Sequence, residues 1–202
     1  MKEFEITQEY IQAEEELQCD SLHLLKDTNE NSIIEAKQLL IDGCTDHYSS
    51  QFAHTAQINL HKGTLRCHKA EIDTLDGGEV HATEVHIKHA LSGTIYAQDV
   101  TIEIVDEYVS VIASHSITIH NVHSENNSFL IDYKQVPIIL SKLEFIEKDI
   151  KRLEEELEDA KKHNHSLVSQ LTTQVTLLEE EKSAILNSSQ TATINLNSAT
   201  SL

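Results

Sequence analysis

The chain has 202 residues, which is enough for one substantial core or for two smaller units. Its 34 acidic and 15 basic residues give a formal net charge of −19, so nucleic acid and anionic membrane surfaces are disfavoured as partners, because both would repel it. No apolar run approaches the roughly eighteen residues of a membrane helix, and the segment from Met1 to Glu5 lacks a basic stretch followed by an apolar one. We therefore expect a cytoplasmic protein without membrane insertion.

The first segment, residues 1–16, is predicted to be an N-terminal cap or a partial turn of the fold that follows. Phe4 and Ile6 alternate as in a strand, and Ile11 precedes an acidic run at residues 14–16. Charged residues at this point would blunt a sheet edge that could otherwise pair with another chain.

Residues 17–135 repeat one eight-residue pattern: apolar, any, small, any, any, apolar, any, apolar. About seven copies occur, roughly twelve to nineteen residues apart, and self-similarity of this kind indicates a repeat architecture. The patterned positions of the copies are Leu17, Cys19, Leu22, Leu24; Ile34, Ala36, Leu39, Ile41; Ala53, Thr55, Ile58, Leu60; Leu65, Cys67, Ala70, Ile72; Val80, Ala82, Val85, Ile87; Ile95, Ala97, Val100, Ile102; and Ile112, Ser114, Ile117, Ile119.

The spacing within the pattern predicts a bend. Side chains on one face of a straight strand recur every second residue, so the first and third positions share a face, and so do the sixth and eighth. Both pairs can point inward only if the chain bends between them. We therefore predict a mainly β fold with a helical segment, in which residues 17–135 form a single-stranded β-solenoid of about seven turns.

Small residues and glycines support this prediction. A small residue beside the bend, such as Ala82, leaves room for the opposite wall of the coil. Gly63, Gly78 and Gly93 each stand two residues before the next apolar start. Glycine tolerates a positive φ there, so the chain can turn sharply between copies.

After Pro137 the periodicity changes to that of a helix. Proline is tolerated in the first helical turn, and the apolar residues that follow recur in steps of four and three, as in a coiled coil. We predict an α-helical coiled-coil hairpin over residues 137–187, whose apolar stripe binds a protein partner or a second copy of the chain. The residues of this stripe are Ile139, Leu143, Ile146, Ile150, Leu153, Leu157, Leu167, Leu171, Leu178 and Ile185.

Two arrangements of this segment fit the sequence. One is a continuous helix of about 49 residues with Asn164 at an inward position, where asparagine fixes the register of coiled coils. The other is a hairpin of two helices over roughly 138–162 and 166–187, with Asn164 at the end of the first. We favour the hairpin, since Gln174 and Lys182 weaken the second half as a free extension.

Residues 188–202 are predicted to be a short strand and a polar tail. The alternation from Ala192 to Leu196 is typical of a strand, and Ser128 to Ile131 can form another strand before the helices. A helical hairpin would return the strand near residue 194 to the end of the solenoid, where it could pair with an open edge.

Residue types found in catalytic and metal sites occur without the spacing that such sites need. Thirteen histidines invite a metal hypothesis, and His81, His86 and His89 are close in sequence, but a bend between them would make them diverge. Zinc spacings, phosphate loops and nucleophile motifs are absent from the sequence. We expect no catalytic residues, no metal and no cofactor, so the protein is predicted not to be an enzyme.

The order of these features resembles that of a known family. Repeated turns such as the one from Thr94 to Ile102, then a proline-started heptad segment rich in Glu and Leu, then a short strand, make residues 17–196 similar to the flagellar assembly protein A family of bacteria. The resemblance implies a right-handed β-solenoid with a protruding helical hairpin, and a role in flagellar assembly or polar placement of the flagellar machinery. The chain departs from the family in lacking an extended N-terminal domain, in having few glycines and in its shorter coil. No binding residue is transferred, because no site motif is matched.

Two functions fit these expectations. The first is a non-enzymatic scaffold for flagellar assembly that binds a protein partner, or a second copy, through its coiled coil. The second is a polymer-forming cytoskeletal solenoid of the bactofilin kind, in which molecules stack end to end. The coiled coil favours the first, because solenoids of the bactofilin kind are usually flanked by short disordered tails.

Overall fold

The structure is a computed structural model that describes residues 5–9, 11–163, 165–188 and 191–196. Phe4, Asn164 and the tail residues 197–202 lie outside the described residues. In the described ranges, one sheet of parallel strand pairs is followed by two helices and a last short strand. The strands are Glu5–Gln8 (β1), Glu16–Leu24 (β2), Ile33–Cys44 (β3), Ser50–His61 (β4), Thr64–Arg66 (β5), Lys69–Val105 (β6), Val109–Val122 (β7), Ser128–Ile131 (β8) and Thr193–Leu196 (β9), and the helices are Pro137–His163 (α1) and His165–Ser188 (α2).

Each turn of the sheet pairs in parallel with the next, so the chain forms a β-solenoid of about seven turns. Leu22 of β2, for example, lies opposite Leu39 of β3, which lies opposite Ala56 of β4. β6 is 37 residues long because it winds through successive turns without a break in strand structure. The predicted mainly β solenoid is confirmed.

The bend between the two halves of the repeat is also present. In the copies that begin at Ile34, Leu65, Val80 and Ile95, all four patterned residues are buried. Both halves can point inward only if the chain changes phase between them. The burial of these residues therefore confirms the predicted bend in these four turns.

The third copy differs from the predicted register. Its inward residues are Gln51, Ala53, Ala56 and Ile58, opposite Ile34, Ala36, Leu39 and Ile41 of the preceding turn. The predicted Thr55 and Leu60 are only half-buried. The pattern missed this register because its first position is a buried glutamine, whose Nε2 donates to Ser49 Oγ at 2.8 Å.

The seventh copy begins one residue earlier than predicted. Its first inward residue is Val111, which lies opposite Ile95, and not Ile112. A bulge in β7 then adds one residue before Ile117, which is buried as predicted. Ile112 packs instead against the helical region.

Each turn has a third side that the eight-residue pattern does not include. Leu75, Ala90 and Val105 are buried three residues after the last patterned position of their turns. In earlier turns polar residues take this place, and Thr45 and His61 are fully buried there. The interior is therefore apolar in the later turns and partly polar in the earlier ones.

The three glycines predicted at positive φ are needed for two different reasons. Gly78 and Gly93 have positive φ, as predicted, but Gly63 does not. At Gly63 an added Cβ would lie 2.4 Å from the Ser49 carbonyl oxygen, so the position is restricted by the closeness of the neighbouring backbone.

Gly78 combines both requirements, and Gly77 has only one. The φ of Gly78 is +75°, and an added Cβ would lie 2.3 Å from the carbonyl oxygens of Gly63 and Lys62. The φ of Gly77 is +84°, but the nearest atom to an added Cβ is His47 Cε1 at 3.6 Å. Substitutions at these two glycines therefore distinguish the stability effect of positive φ from that of close backbone approach.

We expect Gly77→Ala to lower the free energy of unfolding by about 1 kcal/mol, because alanine is strained at positive φ. Gly78→Ala should lower it by about 3 kcal/mol, since the backbone of the neighbouring turn must also move. Urea denaturation followed by circular dichroism measures both values. Equal effects of the two substitutions would contradict the close approach between turns.

The last turn of the solenoid is built from two separate parts of the chain. β8 pairs with the first half of β7, with Ser128 opposite Ser110. β9 pairs with the second half, with Thr193 opposite Ser116. Because both helices lie between β8 and β9 in the chain, the helical pair is an insertion within this turn.

The two helices pack against each other. Lys142 Nζ lies 2.8 Å from Glu181 Oε1, and Lys182 Nζ lies 2.7 Å from Glu147 Oε1. Ile185, near the end of α2, packs against the start of α1. Residues 142 and 181 would be far apart in one continuous helix, so the region is two helices. No helix in the described ranges is both long enough and apolar enough to cross a membrane.

Candidate interaction surfaces

The helical pair is seated on the outside of the solenoid. Asp132 caps a short 3₁₀ helix, Tyr133–Gln135, by accepting a hydrogen bond from a backbone N–H at 3.0 Å. Val136 and Ile139 follow, and both are buried in a small cluster that includes the outward side chain of Ile112. This apolar contact anchors the start of α1 on β7.

The predicted apolar stripe occupies one side of α1. Its residues recur in steps of four and three, which places them on one face of a helix. Ile139, Leu143, Ile146 and Leu153 are buried, and Ile150 and Leu157 are half-buried. The contacts of α1 with α2 and with the solenoid account for this burial.

On α2 the stripe begins in a different phase from the one predicted. Leu171, Leu178 and Ile185 are half-buried, but Leu167 is 44% exposed. The half-buried residues of α2 at steps of three and four are Val168, Leu171, Val175, Leu178, Lys182 and Ile185. The prediction carried the phase of α1 through residue 164, whereas a second helix sets its own phase. The recurrence of Val168 and Val175 seven residues apart was the signal for it.

The side of α2 next to its half-buried stripe is uncharged over the first half of the helix. Residues 165–178 contain no Asp, Glu, Lys or Arg. Leu167 and Leu177 are 44% and 59% exposed, and the exposed Gln170 and Gln174 lie between them at steps of three and four. We call Leu167, Gln170, Gln174 and Leu177 the uncharged α2 face.

The threonine hydroxyl groups of α2 form hydrogen bonds within the helix. Thr172, Thr173 and Thr176 donate to carbonyl oxygens four residues earlier at 2.8, 3.0 and 3.0 Å. Their donors are used within the helix, which leaves methyl groups for contact. The exposed side of α1 instead carries ion pairs such as Arg152 with Asp149 at 3.1 Å. Covering the uncharged α2 face therefore requires less desolvation of charge than covering α1.

A groove of about 600 Å³ follows the bends of the first turns on the outside of the solenoid. Three of its charged side chains, Asp20, Lys37 and Arg66, have partners of opposite charge or aromatic character. Lys37 Nζ lies 2.5 Å from Asp20 Oδ1, and the Arg66 guanidinium lies 5.9 Å from the centroid of the Phe52 ring. These pairs supply contacts between turns.

Histidines on the outside pair with carboxylates of neighbouring turns. His89 Nε2 and His123 Nδ1 lie 2.9 and 2.8 Å from the two carboxylate oxygens of Asp106, and His115 Nδ1 lies 2.6 Å from Asp99 Oδ1. Partial burial alone would raise the pKa of Asp106, but the hydrogen bonds from His123 and His89 outweigh it, so this pKa lies below its usual value. These pairs link consecutive turns.

The three histidines that are close in sequence do not converge. His81 Nε2 lies 3.1 Å from Glu79 Oε2, and its ring stacks on Tyr96, whereas His86 lies 3.4 Å from Glu103. In the ranges that the structure describes, no group of three or more His, Cys, Asp or Glu side chains could hold a metal ion.

The cysteines provide no activated nucleophile. Cys19, Cys44 and Cys67 are free thiols. Burial raises the pKa of all three, and that of Cys67 to about 12. A thiol with a raised pKa stays protonated near neutral pH and reacts slowly.

The sequence prediction missed a buried polar site on the third side of the early turns. His61 Nδ1 lies 2.9 Å from Thr45 Oγ1, and Nε2 lies 3.4 Å from the Glu79 carbonyl oxygen. These contacts fit a neutral ring in which the Thr45 hydroxyl donates to Nδ1 and Nε2–H donates to Glu79. Burial lowers the pKa of His61 to about 4. Its position three residues after Ile58 was the available signal.

Comparison with known proteins gives no relative for the chain. No protein-family model matches it, and no curated protein or solved structure matches it.

Proposed function

We propose that the protein is a non-enzymatic scaffold, in which the solenoid is a rigid rod and the helical pair is an arm that binds a partner protein. The observation that carries this proposal is the insertion of the arm within the last turn. Both ends of the arm continue into strands, β8 and β9, that pair with β7. An arm fixed at both ends holds its partner at a set position on the rod, which a flexible tail would not do.

We infer that the arm is an antiparallel coiled-coil hairpin. The steps of four and three along α1, and those from Val168 to Ile185 along α2, support this inference. The ion pairs that join Lys142 to Glu181 and Lys182 to Glu147 support it as well. The predicted stripe then holds the arm together, and a partner must bind elsewhere on it.

The uncharged α2 face is the part of the arm best suited to a partner. Its leucines are exposed, it carries no charged side chain, and the hydroxyl of Thr173, which lies beside Gln170 and Leu177, is already hydrogen-bonded within the helix. A partner helix with a matching apolar and uncharged side could cover it without burying an ion pair.

The cellular role follows the family resemblance. We propose a right-handed solenoid in the bacterial cytoplasm that takes part in flagellar assembly or in polar placement of the flagellar machinery. The free thiols Cys19, Cys44 and Cys67 are compatible with a reducing compartment.

Complementation of a deletion strain tests this proposal. Loss of the gene is expected to reduce or misplace flagella and to slow spreading in soft agar, and the wild-type gene should restore both. The variant Leu167→Glu with Leu177→Glu should not restore them, because charge on the uncharged α2 face blocks a helix partner while both positions remain hydrated. Circular dichroism should be unchanged in this variant.

Leu25→Glu is the matched control, because Leu25 lies on the solenoid and is 44% exposed, as Leu167 is. This control should restore motility. Normal flagella in the deletion strain would overturn the flagellar role. Restoration by the double variant would overturn the binding face while leaving the flagellar role open to test.

The second candidate is a polymer of stacked solenoids. The exposed apolar residues Ile194 and Leu196 on β9 favour it. A polymer also needs a matching surface at the N-terminal end, where Glu14, Glu15 and Glu16 concentrate negative charge. Filaments in negative-stain electron microscopy would favour the polymer, and separate particles with a projecting arm would favour the scaffold.

A further inference from the structure

The C-terminal end of the solenoid leaves its core partly uncovered. Ile194 and Leu196 of β9 lie opposite Ile117 and Ile119 of β7, and both of the latter are fully buried. Residues opposite each other in parallel strands share a face, so Ile194 and Leu196 continue the core columns. They are nevertheless 43% and 49% exposed, and no strand of the described residues lies beyond β9.

β8 contributes the other half of this end. Phe129 and Ile131 lie opposite Val111 and Ala113, which are fully buried, and they pack against the core while remaining half-buried. We call Phe129, Ile131, Ile194 and Leu196 the C-terminal layer. The layer is apolar throughout.

The strands that carry this layer lie at the end of the described sheet. In the described residues, β8 and β9 each pair only with β7, so no described strand hydrogen-bonds to the outer edge of either one. Exposed edges are usually protected by charged residues, by proline or by a covering element. β8 reads Ser-Phe-Leu-Ile and β9 reads Thr-Ile-Asn-Leu, and neither contains a charge or a proline.

The charge distribution selects a second copy of the same end as the occupant. The chain carries a net charge of −19, yet the eight residues of β8 and β9 contain no charge, so these strands of two copies can approach each other without like charges on the strands themselves. A second copy also supplies an identical pair of outer strand edges and an identical apolar layer. Contact of a surface with itself across a two-fold axis gives a closed dimer.

The N-terminal end does not match this surface. β1 pairs with Ser21–Leu24, and in the described residues it leaves the first half of β2, from Glu16 to Asp20, without a strand on its outer side. In the described residues this end is acidic, with Glu16 and Asp20 on β2, whereas β8 and β9 at the C-terminal end contain no charged residue. Stacking of one copy's C-terminal end on another's N-terminal end would place the uncharged β8 and β9 against the acidic Glu16 and Asp20, which would have to be desolvated.

We infer that two copies of the chain associate through their C-terminal layers, with the outer edges of β8 and β9 pairing antiparallel to those of the second copy. The rods then point away from each other, and each dimer carries two arms near its centre. This association uses a surface separate from the uncharged α2 face, and it does not depend on the proposed function.

Sedimentation velocity tests this inference on the full chain. We expect a species of twice the 22.8 kDa chain mass at micromolar concentration. Ile194→Lys with Leu196→Lys should weaken association by about 100-fold or more, because two charges would be buried against their copies. Asn195→Lys is the matched control, since Asn195 lies on the same strand between these residues but on its other face, and this variant should remain dimeric.

Two further variants test whether the arm or residues 197–202 are needed for the dimer. Leu167→Glu with Leu177→Glu alters the arm, so it should remain dimeric even if it fails to support motility. A chain ending at Leu196 removes residues 197–202 and should also remain dimeric. Circular dichroism and the melting temperature of the lysine variants show whether the solenoid remains folded.

Several results would overturn the inference. One is a wild-type chain that stays monomeric up to about 100 µM. Another is a double lysine variant that is folded and still dimeric. A third is a wild-type chain that forms species larger than a dimer as its concentration rises. A full chain that stays monomeric while the chain ending at Leu196 dimerises would also overturn it. The C-terminal layer would then be covered by residues of its own chain.

Discussion

Acidification from pH 6.5 to pH 4 is expected to lower the free energy of unfolding by about 3 kcal/mol through His61 alone. The folded chain keeps this buried ring neutral, with a pKa of about 4, whereas the unfolded chain protonates it near 6.5. Between these values the unfolded state binds more protons than the folded state, so stability falls as the pH falls. Well above pH 6.5 the ring is neutral in both states and its contribution is complete.

His61→Met isolates this effect, because methionine fills the site without titrating. Urea denaturation at several pH values between 4 and 7 should give a flatter stability profile for the variant than for the wild type. The carboxylates are the same in both proteins, so the difference between the profiles reports the histidine. The NMR shift of the His61 ring measures its pKa directly. A value near 6.5 in the folded protein would contradict the burial of a neutral ring.

Leu153→Asp with Leu157→Asp is expected to remove most of the helical circular dichroism signal at 222 nm while leaving the solenoid folded. Leu153 is buried and Leu157 is half-buried on the side of α1 that α2 covers. An ionised carboxylate cannot stay between the helices without a partner, so the helices should separate and unfold instead. Far-ultraviolet circular dichroism, compared with the strand signal near 215 nm, measures the loss.

Lys151→Asp is the control for this experiment, because it adds an aspartate at an exposed position of the same helix. Its helical signal should be close to that of the wild type. If the double variant kept its helicity and only lost association between chains, the stripe would lie between molecules and the packing of α1 on α2 would be wrong.

The solenoid could be predicted because its rule is local. In turns such as Val80 to Ile87, an apolar residue, a small residue and two further apolar residues define the bend without knowledge of any distant contact. The two helices could be predicted for the same reason, since the steps of four and three in α1 are visible over a few turns.

Features that depend on distant contacts were harder to predict. Gln51 Nε2 and both ring nitrogens of His61 have hydrogen-bond partners inside the solenoid, whereas Gln51 Oε1 is buried without one in the described residues, and a search for apolar residues passes over both positions. The third side of each turn lies outside an eight-residue pattern, although Leu75 and Val105 mark it once the register is known.

The interaction surfaces were the least predictable part. Leu167 was assigned inward because the phase of α1 was continued into α2, but the phase of a second helix depends on how it packs back. The solvent exposure of the C-terminal layer depends on which strands form the end of the sheet. β9 is one of them because it pairs with β7, which the sequence pattern alone does not show. A single sequence predicts whether a segment is a helix or a strand more readily than it predicts which surface that segment packs against.

The division of the last turn fixes an order of events during synthesis. Earlier turns can form as the chain leaves the ribosome, because each lies against the turn made just before it. The final one closes only after residue 196 has been translated, long after β8, and until then Ile117 and Ile119 lack their covering strand. A chain stopped before β9 would keep most of the rod and both helices, yet it would display apolar surface by which chaperones and proteases can recognise an unfinished protein.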